Sequence, residues 1–206
     1  MDNWIASLKK ELSKPLPGAA AQLEMSPSKL RLPETYTPAA SGSVMILLYA
    51  RKGEVYTLFI KRAEYDGVHS GQISFPGGMY ETGDDSRRST ALRETEEETG
   101  VSQNDMSVIG ELTSLHIPVS NVDVLPFVAV FDGQPLFTPD KNEVEFVIEA
   151  RVDDLINPDN KKKKMIHIGD FEIEAPYFNV NGHHVWGATA MILSEFLEIV
   201  KRINKR

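Results

Sequence analysis

The stretch that decides the fold is residues 74–100, SFPGGMYETGDDSRRSTALRETEEETG, where a glycine turn leads into a crowded group of acids. We predict a helix over 86–99, because Asp85 or Ser86 can cap its start and Gly100 stands where a helix C-terminal glycine belongs. The last turns of this helix contain four glutamates. Such a concentration of negative charge requires an explanation.

Three of the four glutamates share one face of the predicted helix. Glu94, Glu97 and Glu98 are related as i, i+3 and i+4, whereas Glu96 points away. Carboxylates at this spacing repel one another, and the helix dipole disfavours negative charge at the C-terminal end. A hard divalent cation such as Mg²⁺ or Mn²⁺ takes oxygen ligands and would relieve the repulsion. The alternative is a solvated acidic face, the ordinary explanation for a run of glutamates.

Two neighbouring features favour a binding site over a solvated face. Arg93 precedes the acids and can orient a carboxylate through a forked pair of hydrogen bonds. Gly77 and Gly78 form a tight turn at which backbone amides can approach a ligand.

Composition limits the classes of function. The net charge of −8 argues against nonspecific binding to nucleic acid or to anionic membranes. The chain has no cysteine, which excludes disulfides and thiolate chemistry. No run approaches the roughly 20 apolar residues of a membrane span, and the N-terminus lacks the apolar core of a signal peptide. We therefore expect a cytoplasmic protein.

The pattern along the chain predicts one α+β domain with an N-terminal extension. Residues 1–41 are expected to form a short helix, ending near Pro15, followed by an irregular arm, and residues 42–206 the main domain. Strands are predicted at 43–50, 55–62, 106–115, 123–131 and 143–152. A late hairpin turning at Gly169 and Asp170 and a C-terminal helix follow. The lysines at 161–164 are interpreted as a solvated turn.

The acidic helix resembles the Nudix box, the signature of hydrolases that cleave nucleoside diphosphates linked to another group. Residues 93–101, RETEEETGV, match the second half of that pattern, with Thr95 at the first apolar position. In the first half, five residues lead from Gly78 to an aspartate instead of a glutamate. Either Asp84 or Asp85 takes the place of the first acid of the motif.

The region before the box is similar to the extension of Nudix enzymes that act on coenzyme A. Within residues 58–78, LFIKRAEYDGVHSGQISFPGG, the matching positions are Leu58, Arg62, Ala63, Gly71, Phe75, Pro76, Gly77 and Gly78. Gly67 stands where that extension has a second arginine. Another cation, Lys61, Arg62 or His69, would have to replace it against the phosphates of the substrate.

This resemblance implies a Nudix-type α/β/α sandwich with a mixed β-sheet and a metal-assisted hydrolysis of a pyrophosphate bond. It implies that Mg²⁺ or Mn²⁺ is held by Glu94, Glu97 and Glu98. Arg93 would orient these acids, while the substrate-binding residues would be Arg62, His69, Gly77 and Gly78.

A general base can lie outside the box in this family. Glu143, which precedes a strand after a loop, is the first candidate, and Glu145, two residues further, is the second. The alternative for either residue is a solvated acid at a strand edge.

The resemblance favours coenzyme A or its derivatives as substrate, with adenosine 3',5'-bisphosphate and 4'-phosphopantetheine species as products. ADP-ribose, NADH or another nucleoside diphosphate derivative is the alternative, and a non-catalytic Nudix-fold binding protein is a further one. The expected partner is this small molecule, with no nucleic acid and no membrane. A homodimer is left open.

Overall fold

The computed structural model describes residues 1–27, 37–64, 69–168 and 171–204. Its α-helices are α1 Asp2–Leu12, α2 Gly18–Leu23, α3 Arg87–Thr99, α4 Val152–Ile156 and α5 Gly187–Asn204. Its strands are β1 Ala40–Arg51, β2 Glu54–Arg62, β3 Ile73–Ser74, β4 Gly77–Met79, β5 Met106–Glu111, β6 Leu115–Ile117, β7 Val122–Phe131, β8 Val144–Arg151, β9 Lys161–Ile168, β10 Phe171–Val180 and β11 His183–Trp186. Of the helices described, none combines the length and apolar character needed to traverse a bilayer.

The main sheet is mixed and is built around β1. This strand runs parallel to β7 over ten residue pairs. The other pairings are antiparallel: β2 pairs with β1, β3 and β8, β4 pairs with β1, and β5 and β6 pair with β7. Tyr56 of β2 pairs with both Tyr49 and Arg151, so β1 and β8 lie on opposite edges of β2.

The two central strands separate towards one end, and the glycine turn fills the gap between them. Residues 48–51 of β1 pair with β2, whereas residues 42–44 pair with β4. The Met45 amide donates a hydrogen bond of 2.8 Å to the carbonyl oxygen of Pro76. The glycine turn is therefore held inside the sheet by backbone hydrogen bonds, which fixes its position relative to the strands.

Helices cover both faces of this sheet. Met45 and Leu47 of β1 belong to a buried cluster with Ala91 of α3. Ile46, between them, belongs to a second cluster with Phe196 of α5. Alternate residues of β1 thus face different helices, which explains why the strand is a continuous apolar run. The predicted α+β class and α/β/α sandwich with a mixed sheet are confirmed.

Helix α3 has well-defined ends. Ser86 is the N-cap: its hydroxyl accepts a hydrogen bond from the Ser89 amide at 3.2 Å, and the Ser89 hydroxyl accepts one from the Ser86 amide at 2.8 Å. Gly100 adopts a left-handed conformation and donates its amide to the carbonyl oxygen of Glu96 at 2.8 Å. Of the two caps considered from the sequence, the structure uses Ser86.

A small antiparallel sheet, β9–β10–β11, packs beside α5 through residues such as Phe178 and Val185. The interpretation of residues 161–164 as a turn is wrong, because these lysines begin β9. Lys161 and Lys163 remain at the surface, where they contact Glu24 at 2.9 Å and Glu174 at 2.7 Å. The predicted turn residues 169 and 170 lie outside the described part of the chain.

The N-terminal arm is more ordered than the sequence suggested. Helix α1 is confirmed, and a second helix that the sequence analysis did not predict, α2, forms before the arm from a run containing three alanines. The buried carboxylate of Glu195 accepts hydrogen bonds from the Gly18 amide at 3.0 Å and from Gln22 Nε2 at 2.9 Å. Residues 28–36 lie outside the described part of the chain. The domain division between residues 41 and 42, which falls within β1, stays a prediction.

Candidate active site

Glu98 is the buried centre of the acidic cluster. Its side chain is 1% exposed, and its Oε2 accepts a hydrogen bond of 2.8 Å from the Gly77 amide. Its Oε1 lies 3.2 Å from Arg62 Nη1. Burial, together with the charges of Glu94 and Glu143, raises the pKa of Glu98 to about 8, against the opposing effects of the Gly77 amide and Arg62. The carboxylate is therefore short of compensating positive charge.

Two glycines let the turn lie directly against the helix. A Cβ on Gly77, whose φ is +152°, would collide with the Ser43 carbonyl oxygen and the backbone of Val44. A Cβ on Gly78 would collide with the carboxylate of Glu94. Any side chain at either position would displace the turn or the acids, so this contact requires glycine.

Arg93 connects three carboxylates beside α3. Its Nε and Nη2 donate to the two oxygens of Asp84 at 2.9 and 3.0 Å, a forked pair. Its Nη1 lies 2.9 Å from both Glu94 Oε1 and Glu97 Oε2. The Arg93 guanidinium holds the pKa of Asp84 well below its usual range, and the same contacts raise the pKa of Arg93. Asp84, and not Asp85, therefore takes the place of the first acid of the motif.

The three glutamates predicted to share one face lie at different depths. Glu98 is buried, the Glu94 side chain is 13% exposed and the Glu97 side chain is 55% exposed. Burial raises the pKa of Glu94; Arg93 lowers it, and the charges of Glu97 and Glu143 raise it again. The structure brings Glu94 and Glu98 together against the glycine turn and leaves Glu97 at the rim.

Among the described residues, no group of three or more acids or histidines is arranged as a set of metal ligands. The positive charge between Glu94 and Glu97 is that of the Arg93 guanidinium. The chemistry of the donors nevertheless fits a hard cation, because all three are carboxylates and Mg²⁺ or Mn²⁺ prefers oxygen. The buried, proton-retaining Glu98 is the group that a cation would stabilise most.

Glu143 lies one residue before β8 and borders the same cluster. Its carbonyl oxygen accepts a hydrogen bond from the Ala63 amide at 2.8 Å, and its charge raises the pKa of both Glu94 and Glu98. Its side chain is exposed, as is that of Glu145. The electrostatic coupling of Glu143 to the buried acids favours it over Glu145 as a base at this site.

A cleft of about 480 Å³ adjoins the glycine turn. We call it the substrate cleft, and its lining includes all four residues predicted to bind substrate: Arg62, His69, Gly77 and Gly78. His69 has a φ of +71°, which is uncommon outside glycine, and its Nδ1 lies 3.2 Å from Gln72 Oε1. Lys61 is one candidate replacement for the missing second arginine. Its ammonium group donates a hydrogen bond to the Gly71 carbonyl oxygen. Gly67 lies outside the described residues.

Sequence reasoning missed a clamp at the other end of α3. Arg87 donates to Asp123 Oδ2 and to the Gly42 carbonyl oxygen, each at 2.7 Å, and Ser114 donates to the same aspartate at 2.6 Å. The clamp attaches the start of α3 to β1 and β7. A signal was available, because an arginine in the first turn opposes the helix dipole and needs another reason to be there.

A mixed sheet between helices, with an acidic helix packed against a glycine turn, is the arrangement expected from the resemblance to the Nudix hydrolases. The NUDIX domain model matches residues 40–171, so the chain belongs to the Nudix family. The predicted family and the enzyme class, a Nudix hydrolase, are confirmed.

The chain is similar to the mitochondrial coenzyme A diphosphatase NUDT8 of Homo sapiens, with 31% identity over 90% of this chain and 75% of that protein. The Mus musculus protein of the same name is 31% identical over 79% of each chain. Among solved structures, the MutT protein from Methanosarcina mazei has a TM-score of 0.53 and 18% identity, covering 84% of this chain and 100% of that one. This last likeness supports the fold alone.

Proposed function

We propose that this Nudix hydrolase cleaves the diphosphate bond of coenzyme A or its derivatives, releasing adenosine 3',5'-bisphosphate and a 4'-phosphopantetheine species. The observation that carries the proposal is the position of Glu98. This carboxylate is buried and coupled to Glu94 and Glu143, and through Arg62 and Gly77 it adjoins a cleft large enough for a ligand. The similarity to two coenzyme A diphosphatases supports the choice of substrate.

Glu94, Glu97 and Glu98 would hold Mg²⁺ or Mn²⁺, in agreement with the all-oxygen donor set. The bound ion would neutralise the charges of the diphosphate and make a bound water more acidic. Arg93 acts as a positioning residue, because its guanidinium is already occupied by Asp84 and by two of these carboxylates.

The remaining residues would bind the substrate and move the proton. Arg62 donates to Glu98 through Nη1 and lines the substrate cleft, so its guanidinium stands between the acids and a bound phosphate. A water oxygen attacks one phosphorus, the bond from that phosphorus to the bridging oxygen breaks, and the bridging oxygen leaves on the other phosphate. Glu143 accepts the proton of the water.

The test is hydrolysis by the purified protein of four substrates, namely coenzyme A, acetyl-coenzyme A, ADP-ribose and NADH, with Mg²⁺, with Mn²⁺ and with a chelator. We expect both coenzyme A and acetyl-coenzyme A to yield adenosine 3',5'-bisphosphate. No product should form in the presence of the chelator. Faster cleavage of ADP-ribose or NADH would move the substrate to the alternative class. No cleavage of any diphosphate would favour a binding protein.

Two further predictions stay open and have separate tests. The cytoplasmic location would be tested by fractionating cells that express the full chain, since the relatives named above are described as mitochondrial. The homodimer would be tested by sedimentation or light scattering at several protein concentrations.

A further inference from the structure

The substrate cleft extends well beyond the carboxylates and becomes apolar. Past the glycine turn it runs between the β1–β7 pair and the first turns of α5. Its walls there are formed mainly by Val44, Ile117, Val122, Val124, Ala188 and Ile192. Such a cavity, apolar with a few polar groups, is typical of a site for a small molecule.

The charges of the cleft are concentrated at its catalytic end. Among the described lining residues, the ionisable side chains are Arg62 and His69, and none is an acid. Arg62 touches Glu98, so a phosphate would lie there. The remainder of the wall can accept a neutral ligand segment and offers little to a second charged group.

The cleft also contains polar atoms that need partners. The lining residues Ser43, Arg62, His69, Ser74 and Ser120 each have a buried side-chain nitrogen or oxygen without a hydrogen-bond partner in the described structure. A buried polar atom left unpaired costs about 1–3 kcal/mol. A ligand segment carrying amide and hydroxyl groups would supply partners to such atoms after small side-chain rotations.

The phenylalanine on the wall offers no stacking surface to a nucleobase. Phe75 is 1% exposed, and its ring packs on Phe59 with 4.7 Å between centroids. Its face is therefore not open for stacking, the interaction by which proteins commonly hold bases. A flexible chain that alternates apolar and amide groups fits the walls better.

We propose that this part of the cleft binds the pantetheine arm of the substrate, with the thiol or acyl end beside the first turn of α5. The inference rests on the proposed function and adds the residues that determine specificity. Ala188 and Thr189 are half-buried residues at this end and limit its width. The buried Ser120 hydroxyl, which has no hydrogen-bond partner in the described structure, would rotate to meet the amides of the arm.

The first test is Ala188→Phe, which fills the cleft without touching the acids. We expect KM for coenzyme A to rise at least about tenfold and far more than kcat falls, since the arm loses its binding space. The matched control is Ala6→Phe, the same change on the exposed face of α1, which should leave KM unaltered. A second variant, Ser120→Ala, breaks no described hydrogen bond of that hydroxyl and should raise KM about fivefold.

The second test uses pantetheine alone, in chelator, and needs no turnover. Pantetheine should raise the Tm of the wild-type protein and of Ala6→Phe but not of Ala188→Phe. Coenzyme A hydrolysis with an unchanged KM in a folded Ala188→Phe protein would overturn the cleft assignment and leave the proposed function standing. A pantetheine shift without any hydrolysis would support the cleft assignment while the proposed function failed.

Discussion

The substitution Glu98→Gln should make the metal-free protein more stable at alkaline pH. Burial raises the pKa of Glu98 from 4.5 to about 8, so the folded state keeps its proton where the unfolded chain has lost it. The free energy of unfolding must then fall as pH rises between these two values. The shift corresponds to roughly 5 kcal/mol above pH 8, at 1.36 kcal/mol per pKa unit.

Glutamine removes most of this cost. Its side-chain oxygen can still accept the hydrogen bond from the Gly77 amide. Its NH₂ group, however, would face the Arg62 guanidinium, and this contact is unfavourable because both groups are donors. We therefore expect a gain of about 3 kcal/mol in chelator at pH 8.5, which for a domain of this size is a Tm increase of about 6–12 °C. At pH 4.5 the ionisation cost is nearly absent and only the unfavourable contact with Arg62 remains, so the variant should be less stable than the wild type by about 2 kcal/mol.

The assay is thermal unfolding across this pH range, in chelator and then with Mg²⁺ or Mn²⁺. The cation should stabilise the wild type and have little effect on Glu98→Gln, which should also lose most of its turnover. Glu96→Gln is the matched control, because it makes the same change of charge on the same helix, away from the shared face. Stability of Glu98→Gln at or below that of Glu96→Gln at pH 8.5 would refute the reasoning.

Three other changes test the surroundings of Glu98. Asp84→Asn should lower the free energy of unfolding in denaturant by about 3 kcal/mol, since it breaks a mostly buried forked pair; an unchanged midpoint would contradict this. Gly78→Ala should reduce metal-dependent turnover at least about tenfold by displacing an acid, whereas Gly83→Ala, with nothing within 4 Å of the new Cβ, should be neutral. Glu143→Gln should slow turnover about 10²-fold or more, and equal losses in Glu145→Gln would remove the assignment of the base.

The local parts of the fold could be predicted from the sequence. The bounds of α3 and its glycine cap followed from capping residues and helical spacing, because those interactions span only a few residues. The continuous apolar run at 43–50 likewise predicted a strand, and the structure shows that both faces of β1 are covered. By contrast, the lysines of β9 resemble a turn by composition, and their strand is created by pairing with β10.

The site could be predicted only in part, because its depth and charge depend on distant contacts. Helical spacing placed three glutamates on one face but could not show that Glu98 is buried and Glu97 exposed. Arg62 reaches Glu98 from 36 positions earlier, and α5 joins the cleft from the far end of the chain. No periodicity relates such residues, so their contact is a property of the fold.

The balance of charge explains what the crowded glutamates require. Arg62 and Arg93 face five carboxylates, those of Asp84, Glu94, Glu97, Glu98 and Glu143, so the fully ionised cluster has a net charge of −3. Burial raises the pKa of Glu98 and the surrounding negative charge adds to the effect, so a proton retained by Glu98 reduces the charge of the cluster. A diphosphate brings further negative charge and would be repelled. Under the proposed function, divalent cations would therefore serve two purposes: they would favour release of the Glu98 proton, and they would offset the charge of the substrate.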